Sequence, residues 1–336
     1  MTTQTVDTIF NTFSKTNVLI IGDVMVDAYL WGNVERISPE APVPVVAVTN
    51  KESRLGGAAN VALNIKALGA TPIICSVYGK DSAGKNLVDL FNQHQLTTEG
   101  LLCTHEKPTT IKTRVISHGQ QMLRIDEEIA DDCSTNTETQ LIGLVNEILA
   151  THQIDVIIFE DYNKGLLTTG LINAVIELAI QQGIPTAVDP KKKNFLNYKN
   201  VDLFKPNLKE LREGLKIDID KASPEQINQA VNQLNNIINN RISFITLSEY
   251  GVFLKSDEFC GIIPAHKREI ADVSGAGDTV ISVAALCLAQ QMEHDRLAQL
   301  SNLAGGMVCE EVGVVPMNKE KFYNEVAQLF VNSQPG

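Results

Sequence analysis

The chain has 336 residues, 44% of them hydrophobic and 20% charged, with a formal net charge of −12. That length and apolar content describe one large soluble fold with a substantial core, and the acidic balance, with no basic stripe to offset it, excludes a nucleic-acid surface. No apolar run is long enough to span a bilayer, the N-terminus has no basic region ahead of an apolar stretch, and six scattered cysteines form no CxxC pair, so a cytoplasmic protein with reduced thiols and no signal peptide is expected.

Taken in chain order, short apolar runs alternate with helical patterns. Val18–Ile21, Pro72–Val77, Asp155–Phe159, Thr186–Val188 and Ile242–Leu247 read as strands buried on both faces. Between them Val61, Ala62, Ile65 and Leu68 recur at helical spacing and end at Gly69. Leu141, Leu144, Val145, Ile148 and Leu149 form a second such pattern, and Leu171, Val175, Ile176 and Leu178 a third, closed by Gly183. Alternating strands and helices predict an α/β fold of three layers, a mostly parallel sheet with helices on both faces. Ligands then belong beyond the carboxyl ends of the strands. Two β-prone segments break the alternation, about 24–54 and 108–125, the second turning near His118-Gly119. They are expected to project as a small β lid. An extra edge pair without a binding role is the simpler alternative. Asn228–Asn240 reads as a polar helix or loop.

Several motifs have competing explanations. Gly79-Lys-Asp-Ser-Ala-Gly84-Lys85-Asn86 approaches the P-loop pattern, but Asn86 replaces the hydroxyl that would hold Mg²⁺. Gly79 and Gly84 are better read as loop and helix-start residues. Gly56-Gly57-Ala-Ala-Asn60 opens a helix with glycines that let a ligand approach the backbone, or is simply a turn. Gly22-Asp23-Val-Met-Val-Asp27 puts carboxylates at the sheet edge, where they could accept from a polyol or merely cap. In Lys205-Pro-Asn207-Leu-Lys-Glu210 the Asn-x-x-Glu spacing suits a capping box, and spacing alone does not separate that from a metal–phosphate role. The run Lys191–Lys193 reads as a solvated loop. The most informative stretch is Asp272-Val-Ser-Gly275-Ala276-Gly277-Asp278-Thr279, ahead of an apolar helix. Its glycines and helix N-terminus favour an anion, which an aspartate would repel unless Asp278 serves as a base beside a phosphoryl group.

Gly-Gly-x-x-Asn, Asn-x-x-Glu and Gly-Ala-Gly-Asp in that order resemble the ribokinase (PfkB) family of sugar kinases, over residues 15–330. The resemblance implies a single ribokinase-like domain over 1–336, ATP as phosphoryl donor and Mg²⁺ as cofactor. By it Asp278 is the catalytic base and Gly275, Ala276 and Gly277 form the anion hole. Asn207 and Glu210 serve the Mg²⁺–phosphate region, Glu210 reaching the ion directly or through water. Asp27, Gly56, Gly57 and Asn60 hold the sugar, and Ser248 and Gly251 face the nucleotide. Many members have a Thr-x-Gly turn there, whereas this chain has Thr246-Leu-Ser248-Glu-Tyr-Gly251. Arg36–Val46, Gln120–Asp126, Asp161–Gly165, Val188–Lys191 and Leu247–Glu249 are similar to the branch acting in ADP-heptose synthesis for the lipopolysaccharide inner core. That likeness implies phosphorylation of D-glycero-β-D-manno-heptose 7-phosphate to the 1,7-bisphosphate. The sequence lacks the His-x-Gly-His of the nucleotidyltransferase fused to many such kinases, which implies a stand-alone form. A substrate phosphate calls for a second cationic patch; Arg124, Lys164 and Lys191 are candidates, Lys164 first. Another sugar phosphate as acceptor, or a non-catalytic binding protein on the same scaffold, are the competing readings. The partners implied are a sugar phosphate and ATP, with no nucleic acid or membrane, and a homodimer through the β lid.

Overall fold

The computed structural model describes residues 6–220 and 223–332. The chain starts with α1 (Val6–Phe13) and enters the sheet centre at β1 (Asn17–Gly22). Both faces of β1 are covered, with Val18 and Ile20 in one hydrophobic layer and Leu19 and Ile21 in the other. An uninterrupted apolar run is therefore what this strand needs. β2 (Val24–Ile37) and β3 (Pro44–Gly57) leave the sheet as a long antiparallel pair, and α2 (Ala58–Ala67) returns to it. β4 (Thr71–Gly79), α3 (Ser82–Gln93) and β5 (Leu101–Thr104) complete one edge.

A hairpin of β6 (Ile111–Ser117) and β7 (Gln120–Glu127) then joins the long pair in a separate four-stranded sheet of order β3-β2-β6-β7. It turns at His118 and Gly119, both at positive φ (49° and 76°). Two such residues give a tight turn the twist that suits a hairpin.

The rest of the chain builds the other half of the main sheet. α4 (Thr135–Thr151), β8 (Val156–Glu160), α5 (Thr169–Gln182), β9 (Thr186–Asp189) and β10 (Leu203–Phe204) come first. α6 (Leu208–Leu215), α7 (Pro224–Ile238), β11 (Ile242–Thr246), β12 (Val252–Lys255) and β13 (Cys260–Ile263) follow. The nine strands run in the order β13-β12-β11-β10-β9-β8-β1-β4-β5, parallel from β11 to β5, with β12 and β13 antiparallel. One layer packs α8 (Ala276–Ala289), α9 (His294–Val308) and α10 (Lys319–Asn332) with α1 to α3, and the other packs α4 to α7. The Asn-rich segment is helix α7, whose Ile227, Val231, Leu234 and Ile238 form a buried stripe. Its asparagines occupy the positions between those apolar ones, so the polar content concealed a helical period.

β1 lies between β4 and β8, so the strand order reverses there and a crevice opens at the carboxyl ends. Asp23, directly after β1, anchors the far wall of that crevice. Its carboxylate is buried and accepts backbone N–H bonds from Tyr162 (3.0 Å), Lys164 (3.1 Å) and Leu166 (3.2 Å). Removing it strands three donors, so Asp23→Ala is expected to lower the unfolding free energy by about 3 kcal/mol in urea titrations. A loss under about 1 kcal/mol would show that the loop is held by other contacts.

Candidate active site

Four elements deliver side chains to the crevice. β8 ends at Glu160, β9 at Asp189, Lys205 follows β10, and α8 begins at Ala276 with Asp278 in its first turn. Gly275 caps that helix at φ 79°, and an added Cβ would meet Asn60 Nδ2 at 3.2 Å. A Cβ on Gly277 would lie 3.6 Å from Asp189 Oδ2 and 3.7 Å from Lys205 Nζ. The Gly-Ala-Gly turn thus brings bare backbone against the strand ends. First-turn amides have no partners within a helix, which makes them anion donors. The Ala276 N–H is turned toward the Val273 carbonyl (3.3 Å), so an arriving anion competes with that carbonyl for it.

Asp278 is buried and doubly clamped: Asn60 Nδ2 donates to Oδ2 (2.6 Å) and the Tyr162 hydroxyl to Oδ1 (2.8 Å). Burial pushes its carboxyl up to about 6, against the two hydrogen bonds that favour the charged form. A carboxylate in that range can take up a proton near neutral pH. Tyr162 is set by Asp23, which binds its backbone N–H, and its own hydroxyl is driven well above its ordinary range by burial and by the Asp278 charge.

The neighbouring charges are unevenly matched. Lys205 is buried on Asp189 Oδ2 (2.8 Å), and Lys191 binds Glu210 Oε1 (2.7 Å) with Asp189 Oδ1 at 3.5 Å. Lys191 also lies over the Tyr162 ring, 5.7 Å from its centroid. Burial would push Asp189 up, but the two lysines hold it below the usual carboxylate range. Burial would likewise lower Lys191, and Asp189, Glu210 and Glu160 more than reverse that. Glu160 is fully buried and neither carboxylate oxygen has a hydrogen-bond partner; burial and then the charges of Asp189 and Asp278 drive it well above its normal value.

Asn207 and Glu210 form a complete capping box on α6: Asn207 Oδ1 accepts from the Glu210 N–H and Glu210 Oε2 from the Asn207 N–H, each 2.8 Å. With Lys191 on Oε1, both Glu210 oxygens are engaged.

The remaining residues singled out by sequence divide by location. Gly56 and Gly57 are the last residues of β3, paired with Met25 and Val24, and Gly57 is also the N-cap of α2, so the motif opens a helix as expected. Gly57 at φ 62° turns the chain into α2, and a Cβ on Gly56 would meet Asp27 Oδ2 at 2.3 Å. Asp27 is buried and accepts from Arg114 Nη1 (2.6 Å), and the guanidinium groups of Arg114 and Arg54 each lie over the Tyr29 ring (5.4 and 4.9 Å to its centroid). Arg124 is half-exposed on edge strand β7 and tied to Asp126 (2.9 and 3.0 Å). Lys164 is bound to Glu128 (2.7 Å). Ser248 and Gly251 share one tight turn between β11 and β12, both at positive φ. The P-loop-like segment is accounted for locally: Asp81 caps α3, accepting from the N–H groups of Gly84 (2.7 Å) and Thr109 (2.9 Å), and so supplies the anion there itself.

Sequence reasoning left Tyr162, Glu160, Asp189, Lys205, Arg54 and Arg114 without roles. The first four lie within two residues of the carboxyl end of β8, β9 or β10, so the expected ligand position pointed at them. What was missing was any sign of which side chains would turn inward.

Because Asp278 is raised in the folded protein, its carboxyl contributes stability that is complete below the unfolded value near 3.8 and is lost as pH rises through about 6. Asn has no such loss. At about pH 8, Asp278→Asn is expected to gain about 3 kcal/mol over the parent chain, and to gain nothing near pH 3.5. Chemical denaturation at both pH values reads this out; a variant less stable at the higher pH contradicts the burial account.

The pfkB family carbohydrate kinase profile matches residues 15–321. The bifunctional protein HldE of Campylobacter jejuni (strain NCTC 11168) is 41% identical over 304 residues, covering 90% of this chain and 63% of that protein. HldE of Aliarcobacter butzleri is 38% identical over 315 residues, 94% of this chain and 65% of the relative. The chain thus spans somewhat under two thirds of these relatives. In fold it is similar to Escherichia coli phosphofructokinase-2 in complex with potassium (TM-score 0.76, 18% identity, 93% of this chain and 99% of that one). It is also similar to Arabidopsis thaliana ribokinase complexed with ribose and ATP (TM-score 0.70, 15% identity, 92% and 98%). The fold is ribokinase-like, as expected, and among the described residues no helix is long and apolar enough to cross a membrane. The chain belongs to the pfkB family of carbohydrate kinases, phosphotransferases that act on a sugar hydroxyl.

Proposed function

We propose that the chain transfers the γ-phosphoryl group of ATP to the anomeric hydroxyl of D-glycero-β-D-manno-heptose 7-phosphate, giving the 1,7-bisphosphate for ADP-heptose and lipopolysaccharide inner-core synthesis. The observation that carries phosphoryl transfer is Asp278, a buried, doubly clamped carboxylate at the mouth of the glycine-capped helix. The heptose rests on the resemblance of Arg36–Val46, Gln120–Asp126 and Asp161–Gly165, supported by 41% identity over 304 residues to a protein named HldE.

In this reading Asp278 takes the proton of the sugar hydroxyl, which donates to a carboxylate lone pair that the Tyr162 and Asn60 bonds leave free. As the hydroxyl oxygen bonds to the γ-phosphorus, the bond to the β-phosphate oxygen breaks and ADP leaves. The N–H groups of Gly275, Ala276 and Gly277 meet the charge on the transferring group, with the Lys205 ammonium beneath them. Asp27, Gly56, Gly57 and Asn60 hold the sugar hydroxyls, and the four-stranded sheet closes over them as a lid. Arg114 and Arg54, both over the Tyr29 ring, join Arg124 and Lys164 as candidates for the substrate phosphate. Ser248 and Gly251 serve the nucleotide.

Oxygen donors beside a phosphate site suit Mg²⁺. Asn207 and Glu210 would hold it through water, since both Glu210 oxygens are already engaged. The ion supplies charge neutralisation to the phosphates. The edge strand β7, open on one side and carrying the exposed Met122, Leu123 and Ile125, would be covered by a second copy in a homodimer.

Assays of ADP release across heptose 7-phosphate, fructose 6-phosphate and unphosphorylated sugars test the substrate; activity with the heptose is expected to dominate, and its absence overturns that assignment. Asp278→Asn should cost at least about 10³-fold in kcat with ATP binding retained. A variant keeping most of its turnover would remove the base from Asp278. The log of kcat/KM should rise with pH through about 6 as Asp278 ionises. Tyr162→Phe removes a bond to the charged form, so that limb should move to higher pH with the alkaline plateau less affected; an unmoved limb denies Tyr162 this positioning role.

A further inference from the structure

Between β13 and α8 the chain runs from Pro264 to Ser274 without regular structure, and most of its side chains are exposed. On the sugar-kinase reading this segment joins two parts of the nucleotide site. Its start lies against the Ser248–Gly251 turn, where a Cβ on Gly251 would meet the Ala265 nitrogen at 2.5 Å, and it ends at Gly275. Hydrogen bonds fix both ends. Asn302 Nδ2 donates to the Pro264 carbonyl (2.8 Å), and the N–H groups of Ala271 and Asp272 donate to the Cys309 carbonyl (2.8 and 3.2 Å). The Asp272 carboxylate accepts from the N–H groups of Ser274 (2.9 Å) and Gly313 (3.0 Å).

The middle is held differently. Among the described residues, Arg268 alone ties positions 265 to 270 to the rest of the fold by hydrogen bonds. Its side chain is only 9% exposed, unlike its neighbours on the segment. Nη1 donates to Glu310 Oε1 (2.9 Å), just after α9, while Nη1 (3.2 Å) and Nη2 donate to the two oxygens of Glu325 on α10. Nε lies against Gly306 of α9, where a Cβ would come within 3.2 Å of it. Glycine is disfavoured in a helix interior, and here its bare backbone gives the guanidinium room. A planar guanidinium gripped by carboxylates fixes direction as well as distance, which an ammonium does not. Glu310 also accepts from Lys321 (2.6 Å), so two cations balance two carboxylates in the cluster.

We propose that Arg268 is a positioning residue for ATP. By docking the middle of the segment onto α9 and α10, it sets the spacing between the Ser248–Gly251 turn and the Gly275–Gly277 amides. Those are the two places where the sugar-kinase reading, on which this rests, puts the nucleotide. Arg268 itself touches no substrate. The direction of its effect follows from connectivity. Without the guanidinium the segment is tied only at its ends, and ATP must order the middle as it binds, which weakens binding. The sugar side of the site is built from β2, β3 and α2 instead, so acceptor binding is spared.

The test compares Arg268→Met, Arg268→Lys and Lys321→Met with the parent chain, by calorimetric titration of Mg·ATP without sugar and by steady-state turnover. Arg268→Met is expected to raise both the Kd and the KM for ATP about tenfold, with the KM for the sugar phosphate near the parent's. Arg268→Lys should recover part of that loss. Lys321→Met removes an ion pair from the same cluster without freeing the segment, and should leave ATP binding unchanged. Should Arg268→Met fail to fold, as its melt would reveal, Glu325→Gln loosens the same contact from α10 and is expected to weaken ATP in the same direction. Parental ATP affinity in the folded variant overturns the proposal. So does an equal rise in both KM values, or an equal loss in Lys321→Met, since either marks Arg268 as merely structural. A parent chain that binds ATP yet phosphorylates no sugar phosphate contradicts the kinase reading, while the Kd comparison still decides the role of Arg268.

Discussion

Carboxylates crowded at the ends of β8 and β9 and at the start of α8 set the terms for the rest of the site. Buried negative charges repel one another and would repel ATP and a sugar phosphate as well. The protein manages this by short, specific countermeasures. Lys205 and Lys191 bracket Asp189, Tyr162 and Asn60 clamp Asp278, and the first-turn amides of α8 face the same space. What the burial brings is a carboxyl, Asp278, whose proton affinity is raised toward neutral pH, as the proposed base role needs. Glu160 is where the countermeasures stop: its buried carboxyl has no hydrogen-bond partner, and burial drives it well above its normal value.

The scaffold exists to hold these groups in register. Asp23 fixes the 162–166 loop through three backbone amides, and that loop carries Tyr162 onto Asp278. The Asn60–Asp278 contact joins residues 218 positions apart. It depends on α2 and α8 packing in the same layer, so the placement of Asp278 and the core are one construction. Gly56 and Gly57 let β3 run close to Asp27 and Asp23 and bend directly into α2.

Legibility in the sequence followed the range of the determining interaction. The parallel strands could be read because burial on two faces demands unbroken apolar runs such as Val18–Ile21. Helix α7 was less plain, since its asparagines masked the stripe from Ile227 to Ile238. The capping box at Asn207 and Glu210 is local and was visible; that Lys191 would reach Glu210 was not, because the intervening turn and strand decide it. Lys191 was read as part of a solvated loop for the same reason. The Gly-Ala-Gly-Asp turn announced an anion site beside a carboxylate. The second donor on that carboxylate, the Tyr162 hydroxyl, comes from 116 residues away and carries no local signal.

The central claim is that Asp278 activates the anomeric hydroxyl of a sugar phosphate toward ATP. The most direct measurement is the position of the new phosphate, read by phosphorus–proton correlation NMR after incubating the protein with Mg·ATP and D-glycero-β-D-manno-heptose 7-phosphate. The account predicts a new phosphorus resonance coupled to the anomeric proton, with the original 7-phosphate intact. Transfer to any other carbon, or ATP consumed with no new sugar–phosphorus coupling, would contradict it.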